Sequence, residues 1–94
     1  MEKKAVIVRT YSAGVHFGYV ESQSEDGKKV TLTRARMIWS WKEANTLREM
    51  SLRGVGPGSR VSEPAVRNVL TEAIEIIECA PAAIANLEAG TWTT

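Results

Sequence analysis

The sequence predicts an α+β domain: a small antiparallel sheet of about four strands with one or two short helices. Three observations lead there. Residues 4–10, 16–21 and 29–33 are rich in β-branched or aromatic types, and the last two segments flank Asp26-Gly27, a strong hairpin signal. Ser40-x-x-Glu43 followed later by Gly54 has the spacing of a helix start and stop, and so does Pro81 followed by Gly90. A chain of 94 residues holds one core, so residues 1–94 read as a single compact domain.

Taken in order, KAVIVRT (residues 4–10) reads as a buried first strand and residues 11–15 as a loop. HFGYVE (16–21) is the second strand, SQSEDGK (22–28) the turn, and KVTLT (29–33) the third strand, with Val30 and Leu32 inward. In RARMIWSW (34–41) the apolar parity flips, with Ala35, Met37, Trp39 and Trp41 at odd positions. A strand needs a bulge to do that, near residues 33–35. The capping box at Ser40 opens a helix over about residues 41–52, with Ala44, Leu47 and Ser51 on one face and Gly54 as its stop. Residues 53–63 carry three glycines and a proline and leave no room for a regular element; residues 62–68 receive no assignment. Residues 70–79 fit either period, and Pro81 close behind favours a strand over 71–78 before a final helix over 81–89.

The composition, 44% hydrophobic and 24% charged, is that of a folded globular chain. One cysteine excludes an intrachain disulfide and a thiol-only metal site, and one histidine makes a poor start for any metal site; neither a metal nor a cofactor is expected. No apolar run reaches a membrane span and the N-terminal apolar run is too short for a signal peptide, so the expected location is the cytoplasm. The net charge of +1 conceals +5 over residues 1–60 and −4 over residues 61–94. The basic part attracts an anion, or the two parts meet as complementary surfaces within or between subunits. A small core and three tryptophans favour a homo-oligomer, a two-fold dimer first.

The candidate site gathers around RTYSAGVHFG, residues 9–18. Arg9, Tyr11, Ser12, His16 and Phe17 supply charge, hydroxyls and rings within one early loop, where glycine lets backbone approach a ligand closely. Arg34 and Arg36 stand two apart and would share a face in extended chain, where paired guanidiniums grip phosphate. The competing reading of that pair is a solvated strand face or a salt bridge to the acidic C-terminal part. Trp39 offers a stacking face, against which stands packing or an interface role for one of Trp39 and Trp41. For His16 the reading as a strand-end residue bonded to the backbone is preferred to a ligand contact. There is no Walker pattern and no Gly-x-Ser-x-Gly elbow around Ser12, and Cys79 sits among apolar residues, so an enzyme is not expected.

RTYSAGVHFGY (9–19), ARMIWSW (35–41) and LTEAIEIIEC (70–79) together resemble a family of small bacteriophage and prophage proteins. The resemblance implies a phage-encoded accessory protein in the host cytoplasm and brings no activity and no catalytic residue. In size and build alone the chain is similar to phage proteins that sequester nucleotide immune signals of the host. The expectation is therefore a non-enzymatic, oligomeric binder of a small anionic ligand, a nucleotide first. The alternatives are a protein-interaction module or a single-stranded nucleic-acid binder. The near-neutral total charge counts against the last of these.

Overall fold

The computed structural model of the chain describes residues 4–11, 14–41, 44–56 and 59–89. Among these residues six antiparallel strands and two helices run in the order β1 (Ala5–Thr10), β2 (Val15–Gln23), β3 (Val30–Ser40), α1 (Leu47–Arg53), β4 (Arg60–Val61), β5 (Ala65–Leu70), β6 (Ala73–Glu78) and α2 (Pro81–Glu88). The sheet path is β4-β3-β2-β1-β6, with β5 pairing the first half of β3 and β4 the second. The α+β class stands, with a larger sheet than the four strands expected.

The β5 and β6 strands lie on opposite edges of this sheet, yet only Thr71 and Glu72 separate them. The sheet must therefore curl until its edges meet, as in small barrels. A bond from the Ala73 N–H to the Lys28 carbonyl, 2.9 Å, ties β6 to the foot of β3 and marks that closure. Gly18 permits the curl: a Cβ there would stand 3.0 Å from Leu32 Cβ and 3.2 Å from Ala35 Cα.

The inside of the curl is one core, formed by Val6, Val8, Val30, Leu32, Ala35, Leu70 and Ala73. The outside of β1, β2 and the end of β3 is a second, where Ile7, Phe17 and Ile38 pack under Met50 of α1 and Leu87 of α2. Two apolar faces explain the uninterrupted run Ala5-Val6-Ile7-Val8, which alternation alone would not produce.

The parity change in β3 is a bulge. The register moves from Phe17↔Arg36 to Tyr19↔Thr33, and Arg34 takes a left-handed φ of 51°. Leu32 and Ala35 thus share the inner face, while Arg36 and Ile38 turn to the helix side. Met37 and Trp39 continue the inner face beyond the curl, where they are exposed; of the odd-numbered apolar set, Ala35 alone is fully buried.

Two expectations are corrected. Ser40 does not cap a helix, because it is the last residue of β3 and pairs with Arg60. The helix starts six residues later at an equivalent motif. Thr46 accepts from the Glu49 N–H at 3.2 Å, and Glu49 Oε1 accepts from the Asn45 N–H at 2.9 Å. Glu43 of the expected box lies outside the described residues, as does Gly90, the expected stop of α2. Residues 53–63 do hold a regular element, β4, because pairing with the end of β3 needs only two residues. The segment left unassigned contributes β5.

The expected hairpin forms, with β2 running two residues further than expected to the pair Gln23↔Val30. Gly27 has a φ of 80°, and the Asp26 carboxylate accepts from the Ser24 hydroxyl (2.6 Å) and the Lys28 N–H (3.0 Å). Those hydrogen bonds, the Ser24 one first, hold the Asp26 carboxyl below its usual range. The α2 helix begins with Pro81 in its first turn, as expected.

Candidate functional site

The β1–β2 connection is tied at its base. The Thr10 N–H and hydroxyl both donate to the Gly14 carbonyl, at 3.0 and 2.8 Å, and Gly14 has a φ of 87°. Beside this base, on the helix side of the sheet, opens a cleft of about 570 Å³. Its floor is Arg9, Val15 and Glu75, neighbours across β2, β1 and β6 in the registers Arg9↔Val15 and Arg9↔Glu75. Its walls are Trp41, just past β3, and residues 45–48 leading into α1. The sequence builds this place by interruption. The β3 strand ends at Ser40, and the Thr46 cap fixes where Arg48 leaves the first turn of α1.

The charges decide what the cleft can do. Of the seven arginines, five have partners. Arg34 pairs with Glu88 (3.6 Å), Arg53 with Glu49 (2.8 Å) and Arg67 with Glu21 (2.9 Å). The Arg60 guanidinium carbon sits 5.3 Å from the centroid of the Trp39 ring. Arg36 donates to the carbonyls of Glu88 (3.2 Å) and Ser62 (3.4 Å). Arg9 and Arg48 remain, with no side-chain hydrogen bond, ion pair or ring contact among the described residues, and both line this cleft. The Glu75 carboxylate is likewise without a side-chain partner there, although it stands across from Arg9. Guanidiniums grip phosphate and carboxylate, and an indole face accepts a planar ring; this cleft sets two of the former beside a half-buried example of the latter.

The structure brings together only part of the set expected from sequence. Arg9 is in the cleft. Tyr11 is next to it in the chain and 79% exposed, its N–H held by the Glu72 carbonyl at 3.0 Å. Ser12 lies outside the described residues. His16 is buried on the inner face, opposite Val8 on one side and Met37 on the other, and so on the reverse of the sheet from Val15 and the cleft. Phe17 is in the outer core, with its ring edge-on to Tyr19 at 5.9 Å.

Arg34 and Arg36 do not emerge together on one surface. The bulge sends Arg34 to the Glu88 carboxylate and Arg36, 9% exposed, to the end of α2. Burial first, then the like charge of Arg34, pulls the Arg36 pKa down. Trp39 is 52% exposed on the inner face under Arg60, away from the cleft. The basic and acidic parts of the chain do meet within the subunit, through Lys4–Glu78 (3.2 Å) and Arg34–Glu88, while Arg67–Glu21 joins the two parts with the charges reversed.

Sequence reasoning missed Arg48, Glu75 and the role of Trp41 at the cleft. One signal was available for Arg48: no acidic residue stands three or four positions from it, whereas Arg53 has Glu49.

Among the described residues no group of three or more His, Cys, Asp or Glu side chains is arranged to hold a metal, and no helix is long and apolar enough to cross a membrane. The model of one protein family, described as a domain of unknown function (DUF6948), matches residues 3–87. The chain belongs to that family. No curated protein and no solved structure matches it.

Proposed function

We propose that the protein is a non-catalytic binding module whose cleft between β1, β6 and α1 holds a small anionic ligand with a planar ring, a nucleotide by chemistry. One observation carries the reading: the two arginines without partners among the described residues line the same cleft, beside Trp41. A guanidinium left solvated at a concave surface keeps its donors for an incoming phosphate, and a charge-assisted bond of that kind is worth about 1.5–3 kcal/mol. Stacking on the indole adds about 1–3 kcal/mol.

Binding without conversion fits where the reactive side chains stand. His16 is on the reverse of the sheet. Cys79 is four residues along the chain from Glu75 and packs against the outer core, where burial pushes its thiol pKa up to about 12. In a phage-encoded setting, which the resemblance to phage proteins suggests, such a module sequesters a nucleotide signal of the host.

Titration of isotope-labelled protein with nucleoside monophosphates, followed by proton–nitrogen and phosphorus NMR, tests both halves. Amide shifts concentrated at Arg9, Val15, Arg48 and Glu75, with the nucleotide phosphorus signal recovered unchanged, support the proposal. Shifts confined to the Trp39–Arg60 face, or a new phosphorus resonance, contradict it.

A further inference from the structure

We infer that Glu75 sets the ligand specificity of the cleft, and that it selects a nucleotide whose base presents N–H donors along one edge, guanine before the others. The inference rests on the cleft being the ligand site.

A cleft that bound only phosphate would be better off without Glu75. Register partners across an antiparallel pair keep their Cβ atoms ~5 Å apart, so the carboxylate leaves the floor beside Arg9 and opposes any anion held there. Yet Glu75 and Arg9 do not form an ion pair among the described residues, and both side chains remain available to a ligand. A ligand satisfies the whole set only if it is itself divided: a phosphate for Arg48 and Arg9, a flat ring against Trp41, and donors for Glu75. An ionised carboxylate is acceptor-only, so the group that meets it must donate.

Among the bases, guanine turns two adjacent N–H donors outward, from its ring nitrogen and its amino group, and meets both carboxylate oxygens at once. Adenine and cytosine offer one amino group each, and uracil flanks its ring N–H with two carbonyls that a carboxylate repels. Hypoxanthine keeps the ring N–H and lacks the amino group. The volume, about 570 Å³, lies in the range of sites for ligands of this size.

Isothermal titration of the wild type with guanosine, inosine, adenosine and uridine 5′-monophosphates, and with inorganic phosphate, reads the preference directly. The expected result is guanosine monophosphate bound at least tenfold more tightly than the other three nucleotides, as a paired donor–acceptor contact discriminates. Glu75→Gln, which keeps the shape of the side chain, should remove that preference while binding phosphate as well as the wild type or better. Its melting temperature reports that the fold is kept. Four nucleotides bound within threefold of one another overturn this inference and leave the cleft standing as an anion site. So does a guanine preference that survives Glu75→Gln. Silence from every nucleotide and from phosphate overturns the inference and the cleft reading together.

Discussion

Replacing Arg36 by alanine separates a ligand contact from a structural one, since the sequence alone places this residue among the binding candidates. The side chain crosses from β3 to the C-terminal end of α2, where its guanidinium donates to the Glu88 carbonyl at 3.2 Å and, more weakly, to the Ser62 carbonyl at 3.4 Å. Helix C-termini leave carbonyls unpaired, and a guanidinium both bonds them and opposes the negative end of the dipole. Counting the shorter contact as one charge-assisted bond gives about 2 kcal/mol, and two buried methylenes of the stem add about 1.5 kcal/mol. Relief of the guanidinium's desolvation, and of its repulsion from Arg34, returns part of this. The net loss is about 2–3 kcal/mol, which lowers the melting temperature of a domain this size by about 10 °C or more. Thermal melts and urea titrations followed by circular dichroism measure it. Below its melt the variant should bind guanosine monophosphate as the wild type does. A melting temperature within about 2 °C of wild type, joined to lost binding, would refute the structural role and return Arg36 to the ligand site.

Gly54→Ala should be more damaging than an ordinary surface change. Gly54 adopts φ 83° and ψ −147°, a region open to little but glycine, and an added Cβ runs into Asn86. Asn86 in turn holds both the N–H and the carbonyl of Val55, at 2.9 and 3.0 Å, so the loss should reach about 3 kcal/mol. An unchanged urea midpoint would contradict this. Cys79, with its thiol pKa raised to about 12 from an ordinary 9.0, should resist alkylation at pH 8 in the native chain and react readily in urea. Because the folded value lies above the unfolded one, its contribution to stability is complete below about pH 9 and declines as pH rises towards 12. Rapid native labelling at pH 8 would show that the thiol is not covered.

Elements with a local signal were legible. The hairpin declares itself through Asp26-Gly27, the Arg34 bulge through the parity change between Leu32 and Ala35, and α2 through Pro81. The β5 strand was not, because it pairs along a rim and leaves Val66 90% exposed, so its apolar residues do not mark the buried face. The start of α1 was misplaced because two capping motifs stand six residues apart. Pairing of Ser40 with Arg60, a long-range event, decides between them.

The site was half legible for the same reason. Arg9 stands in a motif, while Arg48 and Glu75 reach it from positions 39 and 66 residues further on. Trp39 and Trp41 look equivalent in sequence and part company only because β3 ends between them.

Anion binding in the cleft depends first on Arg9 and Arg48. Isothermal titration of guanosine 5′-monophosphate into the wild type, Arg9→Ala and Arg48→Ala measures what they do. Each substitution should weaken binding at least tenfold, the loss of one charge-assisted contact. Neither should move the melting temperature by more than about 2 °C, since an exposed, unpaired arginine contributes little to folding. Binding unchanged in both variants, or a wild type that does not bind the nucleotide at all, would show that the cleft is not the anion site.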